Sequence, residues 1–223
     1  MSPIALLHSQ YLRATQLEVD LDASRRHFDW EHRRSSMSRL IAVALYHRDH
    51  FSQGSARRAF GPGAYHWAIV VMSPEGEAGD RRVFDATDAS NIDPTTFRLI
   101  NPAMDWWFRA QETEDPSLAA KLMGHLIIGE VPLDVPMDEL KHFFAKVPLP
   151  VKDSDPQENS VTWVAKAIQA LQRQGWVPEL DLEQLKSSAV AYADERLRSE
   201  PRELDIKHFT DLQRASTQQT SLS

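Results

Sequence analysis

Apolar and polar positions divide the chain into a charge-mixed beginning, a series of short apolar runs and a final part with helical periodicity. Residues 1–36 mix acidic and basic side chains without a continuous apolar stripe, so we expect an N-terminal extension there. The apolar, β-branched run at 40–46 predicts the first strand of a domain. Residues 65–73 (YHWAIVVMS) and 81–87 (RRVFDAT) predict two further strands joined by the turn PEGEAGD, as in a hairpin.

The middle of the chain predicts more strands and a first long helix. The stretches 96–101 (TFRLIN) and 105–111 (DWWFRAQ) are typical of strands, and 121–132 (KLMGHLIIGEVP) is a clearer one. The segment DHFSQGSARRAFGPGA at 49–64 is predicted as a loop because glycine and proline punctuate it. Pro136 then opens a helix whose first turn is acidic.

A second helix is predicted over 160–174. Its apolar positions recur with helical spacing, Asn159 can cap its start, and Gly175 can end it. A last charged amphipathic helix is predicted at 181–197. Strands followed by helices predict an α+β fold, with an antiparallel sheet packed against helices. We therefore divide the chain into the extension 1–36, a domain at 37–198 and a flexible tail at 199–223.

Composition narrows the function classes. The 223 residues carry a net charge of −7 and no dominant basic stripe, which argues against nucleic acid as a partner. No apolar run reaches membrane-spanning length and no targeting pattern is present, so we expect a soluble, cytoplasmic protein. The absence of cysteine excludes disulfides and thiolate ligands, and the sequence implies neither a metal site nor a cofactor.

Three residues on separate predicted elements could together support acyl chemistry. Asp85 lies within an apolar strand, where a carboxylate needs a partner, and the hairpin can place it opposite His66. Ser160 begins a helix, whose free N–H groups favour a developing negative charge. Taken alone, His66 is more simply a half-exposed histidine at a strand edge, and Ser160 an inert neighbour of a helix cap. Both alternatives stay open at this point.

Four further residues complete the candidate site. We place Gln157, Asn159, Trp67 and Trp163 around it as oxyanion-stabilising or substrate-binding residues. Gln157 could donate to an oxyanion or be an ordinary loop residue.

The motifs YHWAIVV, VFDAT and NSVTWV resemble those of circularly permuted papain-like proteins. This superfamily includes the lecithin retinol acyltransferase-like and PPPDE-type isopeptidase families, and the pattern is most similar to a group of small, largely uncharacterised fungal proteins. The resemblance covers about 37–176. It implies that His66 is the general base, that Asp85 orients it, and that Ser160 occupies the position of the nucleophilic cysteine.

Serine in place of cysteine leaves three explanations. The residue can be an introduced Cys→Ser change that inactivates an enzyme, a mark of a natural pseudoenzyme retained for binding, or the nucleophile of a genuine serine enzyme. We rank the last lowest, because serine does not ionise near neutral pH as a cysteine beside histidine does.

The resemblance therefore implies a thiol-type hydrolase or acyltransferase acting on an amide, ester or thioester of a small molecule, a lipid or a peptide. The alternative is a catalytically inactive binding module with the same fold. A third alternative is that the three motifs only pack the core.

Overall fold

The computed structural model describes residues 38–74, 81–90, 92–93, 95–112, 119–198 and 206–220, the side chains of 215–220 excepted. The predicted extension at 1–36 and almost all of the predicted hairpin turn lie outside these residues. No helix among the described residues is long and apolar enough to span a membrane.

Six strands and five α-helices make up the described chain. Two short 3-10 helices, at Asp49–Ser52 and Gly61–Ala64, flank the first α-helix. The elements in chain order are β1 (Ser38–His47), α1 (Gly54–Phe60), β2 (Tyr65–Met72), β3 (Arg81–Thr87), β4 (Trp107–Gln111), β5 (Leu122–Pro132), α2 (Met137–Ala145), α3 (Ser160–Arg173), α4 (Leu182–Arg198), β6 (Ile206–His208) and α5 (Phe209–Thr220).

The strands form one mixed sheet in the order β4-β3-β2-β1-β5-β6. Neighbours from β4 to β1 pair antiparallel. β1 and β5 also run in opposite directions, because the His47 N–H bonds the Lys121 carbonyl at one end while Arg39 reaches the Leu133 carbonyl at the other. β6 pairs parallel with β5, so the expectation of a purely antiparallel sheet is wrong. The helices between β5 and β6 carry the chain back to the same end of the sheet, as a parallel pairing requires.

The core joins one face of the sheet to the helices. α3 packs against β2 and β3. Its buried stripe, which includes Trp163, Val164 and Ile168, belongs to one apolar cluster with Trp67 and Phe84 of those strands. Helical spacing of the apolar positions produces this one-sided burial, which fixes the position of the first residue of α3 relative to β2.

Three predictions from the sequence pattern are confirmed. The described chain has an α+β fold, β2 and β3 form a hairpin, and helices begin near residues 137, 160 and 182. The strand predicted at 96–101 is reduced to a single bridge from Leu99 to Ile92. The Asp93 carboxylate accepts the N–H groups of Thr95 and Thr96 and so holds the start of this stretch in a turn.

The predicted loop at 49–64 contains α1, which Arg57 ties to Asp194 of α4 through two hydrogen bonds of 2.8 Å each. The expected tail contains β6 and α5, since pairing with β5 and burial of Phe209 anchor it.

Candidate active site

The first residue of α3 lies where β2 and β3 separate. The β2–β3 ladder extends from Met72 and Arg81 only to Ile69 and Phe84, although both strands continue beyond that pair. In the part of β2 that lacks a β3 partner, the backbone N–H of Trp67 donates a hydrogen bond to the Ser160 hydroxyl at 3.3 Å. Ser160 therefore takes the place of a strand partner, one residue after His66.

His66 and Asp85 are in direct contact. The His66 Nε2 atom lies 2.7 Å from Oδ2 of Asp85, which is 2% exposed. Because a carboxylate only accepts, Nε2 carries the proton in this bond. Nδ1 has no hydrogen bond among the described residues, and the side chain keeps 17% of its surface exposed. Nδ1 is thus the ring nitrogen that remains open to a proton from another group.

A third residue, Arg109, completes this cluster and was missed by the sequence reasoning. Its Nε donates to Oδ1 of Asp85 at 3.0 Å, and its Nη2 donates to Oδ2 at 2.6 Å. Arg109 lies directly opposite Asp85 in the β3–β4 register. The available signal was the arginine within the predicted strand DWWFRAQ, since opposite charges are favoured at facing positions of paired strands.

The three donors from His66 and Arg109 determine the ionisation of Asp85. Burial raises the pKa of this carboxyl group, but the hydrogen bonds and charges of His66 and Arg109 more than offset that effect, so the pKa lies below its usual value. The carboxylate therefore remains ionised. The bidentate guanidinium also fixes the plane of the carboxylate, and hence the direction from which His66 must approach.

The start of α3 is a capping box. Oδ1 of Asn159 accepts from the Val161 N–H at 2.9 Å, and the Thr162 hydroxyl accepts from the Asn159 N–H at 3.3 Å. The N–H of Ser160 has no hydrogen bond among the described residues, so it remains available to an anion at the helix N-terminus. Asn159 thus acts as the predicted cap, and its side-chain oxygen is already occupied.

Ser160 itself is buried, at 4% exposure. Among the described residues, its hydroxyl and the His66 ring share no hydrogen bond. Direct contact between these two groups stays a prediction, since catalytic hydrogen bonds often tighten only when substrate is bound.

The remaining candidates differ in exposure: the structure buries two of them and exposes the third. Trp67 and Trp163 are core residues at 1% and 0% exposure, so neither presents a surface to a substrate. The Trp67 indole donates to the Pro62 carbonyl at 2.9 Å, whereas Nε1 of Trp163 is buried without a hydrogen-bond partner. Gln157 is exposed, and its side chain makes no hydrogen bond within the described residues.

A groove of about 550 Å³ lies beside the end of α2 and the outer side of α3. Its lining combines apolar side chains with cationic ones. The apolar residues include Phe143, Val147 and Ala170, and the cationic residues are Lys146, Lys166 and Arg173. His66, Asp85 and Ser160 do not contribute to this groove, so it is distinct from the candidate site. No three His, Asp or Glu side chains of the described residues come together as metal ligands would.

The fold and site define an α+β protein with a buried His–Asp–Arg cluster beside a capped helix start. The chain belongs to the family of unknown function DUF6914, whose model matches residues 38–215. No curated protein and no solved structure matches the chain.

Proposed function

We propose that this domain has the architecture of a papain-like acyl hydrolase or acyltransferase, with Ser160 at the nucleophile position. The observation that supports the proposal is the hydrogen bond from Trp67 to Ser160, because it joins the helix start to the residue that follows His66. Amides, esters and thioesters share the carbonyl that such a site would attack. The circularly permuted papain-like assignment rests on the three motifs and on this arrangement.

Each group has a role in the proposed reaction. The hydroxyl or thiol at position 160 gives its proton to Nδ1 of His66 as its oxygen or sulfur bonds the carbonyl carbon. The carbonyl oxygen takes up the negative charge and accepts the N–H of residue 160. The bond to the leaving group then breaks, and the leaving group takes the proton from His66. Water, or an acceptor alcohol or amine, repeats these steps and releases the acyl group.

Asp85 and Arg109 would act through His66. Asp85 holds the Nε2–H tautomer, and Arg109 holds Asp85. Since Arg109 already balances the charge of Asp85, we infer that the carboxylate orients the imidazole more than it stabilises the imidazolium.

Replacing Ser160 by cysteine tests the proposal. The chain has no other cysteine, so iodoacetamide labelling reports on this single thiol. We expect Ser160→Cys to label roughly tenfold faster than a free thiol near neutral pH, because the helix N-terminus and His66 both favour the thiolate. Adding His66→Ala should remove most of that gain.

Leu182→Cys provides a matched control. Leu182 is the first residue of α4, where Asp181 caps the helix by accepting from the Glu183 and Gln184 N–H groups. Its thiol has a helix N-terminus but none of the His66–Asp85 arrangement. If Ser160→Cys and Leu182→Cys label at the same rate, and His66→Ala has no effect, the acyl-transfer proposal is wrong.

The second candidate function is a binding module that retains this fold. It is favoured by serine at the nucleophile position and by the apolar, cation-rimmed groove, which is separate from His66. A Ser160→Cys variant with an unreactive thiol and no turnover of p-nitrophenyl esters would support it.

A further inference from the structure

Among the residues that the structure describes, more than half of the exposed large apolar side chains lie in or beside one loop. Eleven large apolar residues are exposed among the described residues, and six of them lie between residues 92 and 107, five in the connection from β3 to β4 and one at the first residue of β4. These six are Ile92, Phe97, Leu99, Ile100, Met104 and Trp107, which we call the apolar loop. An exposed apolar patch of this kind marks a surface that binds something.

Hydrogen bonds within the loop fix the turn that exposes Phe97. The Phe97 N–H donates to the Asp93 carbonyl at 2.8 Å, and the Asp93 N–H donates to the Arg98 carbonyl at 2.8 Å. Phe97 has a φ of 54° and is 81% exposed. A bulky side chain is rarely found in this left-handed region, so the turn holds Phe97 in solvent at a cost in backbone energy.

The exposed apolar side chains lie on a short, bent segment. Leu99 pairs with Ile92 in a single bridge, and Leu99 and Ile100 are consecutive residues with exposures of 52% and 60%. The chain bends at Arg98 and again at Ile100. The loop therefore presents several apolar side chains without the regular edge of a strand.

The loop is connected to two segments that carry residues of the candidate active site. It follows β3, which carries Asp85, and Lys152 links it to the segment that precedes Ser160. The Lys152 ammonium group donates to the Ala103 carbonyl and lies 3.3 Å from the Asp105 carboxylate. Val151, beside Lys152, is itself 61% exposed.

The small area of the apolar loop and the charges around it indicate what it binds. A stable dimer buries about 800 Å² and 20–30 residues on each partner, more than six side chains on a short loop supply. The loop carries the acidic residues Asp88, Asp93 and Asp105 against a single Arg98, in a chain of net charge −7. This balance disfavours an anionic surface, which attracts clusters of cations. A zwitterionic lipid layer satisfies both requirements.

We propose that the apolar loop inserts into the surface of a zwitterionic lipid layer and thereby holds the candidate site at the boundary between lipid and water. Trp107 at the base of the loop suits this boundary, because indole rings favour the headgroup level. Insertion does not depend on the chemistry at Ser160.

Flotation of the full chain with phosphatidylcholine vesicles tests the proposal. We expect the chain to float with the vesicles at both low and high salt, because apolar insertion is not screened by ions. The double variant Phe97→Ser with Ile100→Ser should bind roughly tenfold or more weakly, given the apolar area that it removes. Phe60→Ser is the matched control, since Phe60 is 51% exposed on α1 and not part of the loop, and this variant should bind as the parent does.

A second variant separates binding from folding. Phe97→Gly relieves the positive φ and should leave thermal stability unchanged or higher, yet it should weaken vesicle binding. The proposal fails if the parent chain does not float, or if Phe60→Ser weakens binding as much as the loop variants do. It also fails if the loop variants abolish a concentration-dependent dimer seen by light scattering, because a second copy would then be the occupant.

Discussion

The backbone N–H of Trp67 donates a hydrogen bond to the hydroxyl of Ser160 at 3.3 Å, although the two residues are 93 positions apart. This bond replaces the β3 partner that β2 lacks beyond Ile69. It brings a helix N-terminus to the residue that follows His66. The site is therefore built where the first residue of α3 meets the unpaired end of the β2–β3 hairpin, and its integrity depends on the residues that hold each of these elements.

Asp85→Asn should destabilise the fold by about 3 kcal/mol, because it removes the buried carboxylate that accepts two hydrogen bonds from Arg109 and one from His66. Denaturant unfolding at neutral pH measures the loss. Asp88→Asn is the control at the exit of the same strand, and as an ordinary surface change it should stay within about 0.5 kcal/mol. Equal losses in the two variants would contradict a special role for Asp85.

The same variant, Asp85→Asn, should lose less of its unfolding free energy than the parent does as the pH falls into the acid range. The pKa of Asp85 lies below its ordinary value of 3.8 in the folded chain, so the unfolded chain takes up a proton first as pH falls. The stability from this carboxylate is complete above about pH 4 and is lost as pH falls through the folded pKa. The difference in unfolding free energy between parent and Asp85→Asn should therefore shrink below pH 4.

Arg109→Lys should slow labelling of the Ser160→Cys thiol nearly as much as Arg109→Gln does. Lysine keeps the charge but cannot bond both oxygens of Asp85, so the carboxylate can turn away from His66. Arg82→Lys is the control, because Arg82 lies on β3 like Asp85 but pairs with the exposed Glu112 instead of Asp85, and should not affect labelling. If Arg109→Lys labels as fast as Ser160→Cys alone, the charge of residue 109 and not its two hydrogen bonds to Asp85 supports the reactivity of the thiol.

His125 should make the fold less stable as pH falls from about 6.5. Burial, with a smaller contribution from Arg81, lowers the pKa of this histidine from 6.5 to about 3. Between these values the unfolded chain binds a proton that the folded chain does not, so stability declines toward acid. His125→Gln keeps an acceptor for Arg81 without titrating, and its unfolding free energy should change less between pH 7 and pH 4.5. A slope in His125→Gln equal to that of the parent would contradict this role of His125.

Asn159→Ala should cost about 1 kcal/mol of stability, the usual cost of losing a helix N-cap. In the Ser160→Cys background it should also reduce the labelling rate, because a frayed first turn no longer presents its N–H groups to the thiolate. Asn159→Ser keeps a capping oxygen and should restore both quantities, as measured by urea unfolding and iodoacetamide labelling. Reduced stability with an unchanged labelling rate would show that the cap stabilises the helix without contributing to the reactivity of the thiol.

Local rules were enough to predict several parts of the molecule from the sequence. Alternating and β-branched runs predicted the hairpin that pairs β2 with β3, and with it the facing of His66 and Asp85. The Asn-Ser start predicted a capped α3. These features depend on backbone geometry within a few residues, or on a hairpin whose two strands are close in sequence, so the pattern alone carries them.

Only the tertiary structure decided which of these residues meet. Arg109 reaches Asp85 because β4 pairs in one particular register after a long connection, and a shift of one residue would turn Arg109 to the other face of the sheet. Trp163 and Trp67 became core residues because α3 packs its apolar stripe on β2. The contact of Ser160 with β2 follows from that same packing, a sum of many weak apolar contacts over distant residues, which no short stretch of sequence encodes.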